Sequence, residues 1–123
     1  MHIESLREYC LSLKGTSEGF PFDEETLVFK VMGKIFAITS LDKPATVNLK
    51  CEPERAIELR EAHPEDIQPG WHMNKKHWNT VSLTGYLPEA LIRELIDHSY
   101  ERVVMGLKKA ERQELEQMDS PMR

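Results

Sequence analysis

The sequence holds no uninterrupted apolar run near the roughly 20 residues that a membrane-spanning helix needs. Its start, Met1-His2-Ile3-Glu4-Ser5, lacks the basic and then apolar segments of an export signal. Only two cysteines occur, Cys10 and Cys51, with no Cys-x-x-Cys between them. That spacing argues against a zinc ribbon or a disulfide scaffold, and two thiols in an unexported chain are expected to be buried rather than bridged. A cytoplasmic location is the expectation. Positive charge is also scarce: 16 Lys and Arg stand against 21 Asp and Glu, a net charge of −5. A protein that neutralises many phosphates carries a basic excess, so any nucleic-acid binding has to be local, weak and salt-sensitive.

Catalytic signatures are missing as well. The chain has no Gly-x-Ser-x-Gly, Walker or dinucleotide-binding motif, and both cysteines fall in apolar stripes, the setting of inert thiols. His72 and His77 are five residues apart, on opposite faces of a regular strand, while His63 and His98 stand alone. Zinc needs about four ligands in suitable geometry. The expectation is a protein that is not an enzyme and holds neither metal nor cofactor.

What is present fits one domain: 123 residues, 40% apolar and 30% charged. Ile3, Leu6, Cys10 and Leu13 mark a helix over residues 2–14, closed by Gly15. Residues 15–25 read as a loop in which Phe20 and Phe22 plug one end of the core. Alternation predicts strands over 26–31, 34–39 and 45–50, joined as an antiparallel meander with a tight turn at Gly33. Pro53 opens a second helix that Pro64 closes. A strand follows over about 77–83, with Gly70–Met73 as a short partner strand, although Asn74 to Trp78 also fits one turn of helix. From Pro88 to Leu107, apolar residues recur at three and four for five turns. Residues 1–110 are expected as the domain and 111–123 as a charged, frayed tail. The order α-β-β-β-α-β-β-α implies an α+β fold of two layers: an antiparallel sheet of about five strands with helices on one face.

One stretch runs against the acidic background. Pro69 to Val81 contains both tryptophans, two of the five histidines, two lysines and no acid. Lys75 and Lys76 can meet phosphates, and Asn74 and Asn79 can hydrogen-bond to phosphate, sugar or base edges. Trp71, Trp78, His72 and His77 offer stacking surfaces for unpaired bases. Lys30, Lys34 and Lys50 project from non-core positions of the meander, and Arg60 of the second helix can join them. A competing reading keeps both tryptophans partly in the core and leaves Lys75-Lys76 as a solvated turn. A third makes Trp71, Met73 and Trp78 the anchors of a protein-interaction surface.

Several segments in order resemble the MmcQ/YjbR family of small bacterial proteins. They are Phe20-Pro21-Phe22-Asp23, the run Phe29 to Ala37, Val47-Asn48-Leu49-Lys50-Cys51 with Pro53, and Glu58-Leu59-Arg60. The sharpest is Pro69 to Thr80, and Ser99-Tyr100 completes the set, so the likeness spans Phe20 to Leu107. Trp71 stands where tyrosine is expected, and the tail lies outside the pattern. The resemblance implies a CyaY-like or secretion-chaperone-like α+β fold. It also implies DNA binding through a double-wing arrangement, or, by analogy with the chaperone-like architecture, an adaptor role toward a protein partner.

Overall fold

A computed structural model describes residues 1–42, 45–70 and 73–118. Helix α1 spans Ile3–Leu11 and buries Leu6 and Cys10. It is shorter than the expected 2–14 because the Ser12 hydroxyl donates to the Tyr9 carbonyl and residues 12–14 turn away from the helix. Gly15 follows with φ +69, the left-handed geometry anticipated there.

The region expected as a loop then forms a strand, β1, over Thr16–Gly19. It lacks apolar alternation because it is an edge strand, paired antiparallel along β2, Thr26–Val31. A two-residue turn at Met32 and Gly33, with φ of 49° and 81°, joins β2 to β3, Lys34–Ser40. Positive φ at both positions matches the right-handed twist of the paired strands. Strand β4, Thr46–Lys50, completes the meander.

Helix α2 covers Pro53–Ala62, with the Glu52 carboxylate accepting from the N–H groups of Glu54 and Arg55. Strand β5 is Ile67–Pro69 and β6 is Trp78–Ser82. The short partner strand therefore lies upstream of the expected Gly70–Met73, where Ile67 buries its side chain opposite Val81. Helix α3 runs Glu89–Met105. Residues expected to fray form a fourth helix, α4, over Lys109–Gln117. Its Leu115 is 5% exposed and belongs to the core.

The sheet has six strands in the order β1-β2-β3-β4-β6-β5, every pair antiparallel, one more strand than anticipated. Leu27, Phe29, Ala37, Val47, Leu49, Ile67 and Val81 share one core with Leu6, Ile92, Leu95, Ile96 and Val103 of the helices. The fold is α+β, with the helix side of the sheet buried. Val28, buried to 1% but outside that core, sits on the opposite face. Phe20 and Phe22 do not plug the core. They are 48% and 66% exposed at the end of β1, because the chain leaves the sheet edge at Gly19.

Candidate nucleic-acid interface

Side chains alternate across a strand, so the registers define the face turned away from the helices. One row across that face is Gly19, Val28, Ile38, Asn48, Thr80 and Gln68. A second brings Ser17, Lys30 and Ile35 into line on one side and Lys50 and Trp78 on the other. Lys50 and Trp78 are direct cross-strand partners, and both are half-buried. The Thr80 hydroxyl donates to Asn48 Oδ1 at 2.5 Å, tying β6 to β4 on this face.

The rest of the basic group gathers at one end of the sheet. Lys34 is exposed beside the β2–β3 turn. Asn74, Lys75 and Lys76 are exposed in the turn that leads into β6. Asn74 organises this turn: its carbonyl accepts from the N–H groups of His77 and Trp78, and its Oδ1 accepts from Lys76 N at 3.0 Å. The segment is a hydrogen-bonded turn rather than a turn of helix, and Trp78 already belongs to β6. The half-buried His77 fastens the turn to the sheet, its carbonyl accepting from Cys51 N at 2.7 Å. Gly70 closes the loop against Trp78. Its N–H donates to the Trp78 carbonyl, and a Cβ at Gly70 would stand 2.9 Å from the Trp78 Cβ.

Two predicted residues lie elsewhere. Asn79 points inward and is 2% exposed; its Nδ2 donates to the Ala56 carbonyl at 3.4 Å, and its Oδ1 is buried without a partner. It cannot reach a ligand on the outer face, because β6 turns alternate residues to opposite sides. Arg60 belongs to the helix layer, where its Nε donates to the Ala56 carbonyl at 3.1 Å. Trp71 and His72 lie outside the described residues.

Ser99 determines how Lys50 is presented. A bulge after Phe29 gives β3 an extra residue, Phe36, which turns inward and meets the Tyr100 ring edge-on at 5.6 Å. Beyond Ala37 and Leu49 the β3–β4 pairing stops. The buried Ser99 hydroxyl of α3 fills this gap, donating to the Phe36 carbonyl and accepting from Lys50 N at 2.8 Å.

The charges are segregated. Twelve of the 21 acids lie in the four helices. The only acid in the six strands is Glu18, which shares the inward parity of Phe29 and is held by Arg7 of α1. The outward strand positions carry lysine, tryptophan, isoleucine, asparagine, threonine, serine and no carboxylate. Among the described residues the salt bridges are Arg7–Glu18, Arg55–Glu94 and Arg93–Glu89, and none of them involves Lys30, Lys34, Lys50, Lys75 or Lys76. The sequence patch missed Ile35, Ile38, Asn48 and Thr80. Their signal was strand parity, read across neighbouring strands rather than along one.

The thiols have a different character. Both cysteines are free and buried. Burial, with Asp97 nearby, pushes the Cys10 thiol up to about 12, and burial also raises Cys51. Neither offers a ready thiolate at neutral pH. Among the described residues no three or more His, Cys, Asp or Glu side chains come together as a metal site, and no helix is long and apolar enough to cross a membrane.

A family model for YjbR matches residues 11–102. The Escherichia coli K12 protein YjbR is 36% identical over 119 residues, covering 96% of this chain and all of its own length. YbdF of Escherichia coli O157:H7 is 40% identical over 107 residues, covering 86% and 87%. Both carry the description uncharacterised protein. Among solved structures, Deinococcus radiodurans DR2400, with a DUF419 domain, superposes with a TM-score of 0.87 at 48% identity, covering 96% of this chain and 90% of that one. The family match spans both the meander that carries Lys30 and Lys50 and the turn that carries Lys75 and Trp78: this chain belongs to the YjbR family.

Proposed function

We propose that this protein binds DNA without catalysing a reaction, through the basic end of the uncovered sheet face. One observation carries the reading. In a chain of net charge −5, the outward strand positions hold Lys30, Lys50 and Trp78 and no carboxylate, and Lys34, Lys75 and Lys76 border the same end. Segregation of this kind gives a local positive field to an acidic protein. Few lysines are involved, so the affinity is weak and falls steeply with salt.

The test is fluorescence anisotropy of labelled random-sequence DNA, single-stranded and duplex, at about 50 and 200 mM salt. The expected result is micromolar binding that weakens at the higher salt and is lost in a Lys75→Glu, Lys76→Glu double variant. Absence of binding at the lower salt overturns the proposal. A second reading, an adaptor for a protein partner, is favoured by the exposed Phe20 and Phe22 beside the free edge of β1. In that case charge reversal at Lys75 and Lys76 leaves the interaction intact, whereas Phe22→Ser weakens it.

A further inference from the structure

Resting on the DNA-binding reading above, we infer that the ligand is single-stranded, a polynucleotide whose unpaired bases lie across the uncovered sheet face between Trp78 and Phe20. The face mixes apolar and cationic side chains in a way that suits bases as well as phosphates. Ile35 and Ile38, both half-buried, occupy outward positions on β3, between the lysine-bearing strands β2 and β4. In a duplex the base faces are stacked on one another and only edges and backbone are offered, so such a surface would go unused. Unpaired bases present their π-faces, and aromatic side chains on a sheet are suited to stack them.

Two aromatic residues mark the ends of the path. Trp78 lies on β6, beside Lys50. At the far side, a cleft of about 320 Å³ is lined by Ser17, Glu18, Gly19, Phe20, Pro21, Val28 and Lys30, with Phe20 48% exposed and the Glu18 carboxylate paired with Arg7. From β6 to β1 there are four strand spacings, about 19 Å, which a few nucleotides can cross. Lys50 stands beside the first aromatic residue and Lys30 beside the second, so each stacking surface has a cation for the adjoining phosphate. Between them the Asn48–Thr80 pair offers polar atoms, with the Asn48 amide N–H groups as donors. This arrangement also gives a role to the Phe20 side chain, which the fold leaves outside the core.

The experiment uses the full chain and four labelled ligands at about 50 mM salt: a mixed-sequence, non-self-complementary single-stranded DNA 20-mer, its duplex, the RNA of the same sequence, and the RNA duplex. The single strands are expected to bind at least tenfold more tightly than either duplex. In a Trp71→Phe background, which leaves Trp78 as the only tryptophan, emission is expected to fall on binding of the single strand. Phe20→Ala and Trp78→Ala should each weaken single-strand binding about fivefold or more, with Trp78→Phe restoring most of the loss. Because Phe20 is exposed, its replacement tests the inference even if Trp78→Ala fails to fold. Binding of the DNA or of the RNA single strand supports the inference, and the difference between them shows which strand chemistry is preferred. Equal or tighter binding of duplex, or single-strand affinity unchanged in Phe20→Ala, overturns it. A duplex-only result that still depends on Lys75 and Lys76 leaves DNA binding standing. No binding of any ligand removes both.

Discussion

Ser99 joins structure and site through a single hydroxyl. It is fully buried, one of three buried polar residues among those described, and it serves both the Phe36 carbonyl and the Lys50 N–H where the β3–β4 ladder opens. Removing the hydroxyl leaves a buried acceptor and a part-buried donor without partners, and an unmet buried group costs about 1–3 kcal/mol. Ser99→Ala is therefore expected to destabilise the protein by about 2–3 kcal/mol in urea unfolding, and Ser99→Thr by less if the extra methyl is accommodated. Loss of well under about 0.5 kcal/mol would mean that water or a strand shift satisfies both groups. Asn79 shows the same economy in reverse: a polar side chain that reads as a ligand contact in the sequence spends its amide on the Ala56 carbonyl.

Among the elements, α4 departs most from what its composition implies. Lys109–Gln117 is almost wholly polar, yet Leu115 reaches the core and lies against Gly15, where an added Cβ would come within 2.6 Å of Leu115 Cδ1. Glu111 also accepts from Lys108 N at 3.0 Å and closes the first turn. Leu115→Ala is expected to lower stability by about 2–4 kcal/mol, the usual cost of truncating a buried leucine. A change within about 0.5 kcal/mol in the same unfolding assay would show that the helix is not part of the cooperative unit. The sequence is legible where periodicity is long or alternation is strong, as in α3, the β2–β3–β4 meander and the Pro53 helix. It is silent where tertiary pairing decides: β1 has no apolar face and exists because β2 offers it a ladder, and α4 is anchored by one leucine. The site follows the same logic. Lys30, Lys50 and Trp78 were visible as single positions, but their coming together needed the β4–β6 pairing, which crosses α2 and β5 in the chain.

For the whole molecule, the segregation of charge determines how stability responds to pH. The acids sit mainly on helices and loops, while His98 on α3 is half-buried and accepts the Glu52 N–H through Nε2 at 3.1 Å. Burial first, then the Arg55 and Arg102 cations, hold its pKa below the ordinary 6.5, against a smaller opposing pull from Glu101 and Glu52. Between that lowered value and 6.5 the unfolded chain binds more protons than the folded one, so stability rises with pH there and is lost as pH falls. Protonation also puts a second donor against the Glu52 N–H at the start of α2. Glu25 works in the opposite sense, because its hydrogen bond and charge interaction with Asp42 hold its carboxyl above the usual range, and folding then gains from acid. Comparing variants separates the two. The native chain is expected to melt at a lower temperature at pH 5.5 than at pH 7.5, and His98→Gln, whose amide oxygen can still accept from Glu52, should shrink that difference. If the difference persists unchanged in His98→Gln, the acid sensitivity belongs to another group and the Glu52–His98 contact does not govern it.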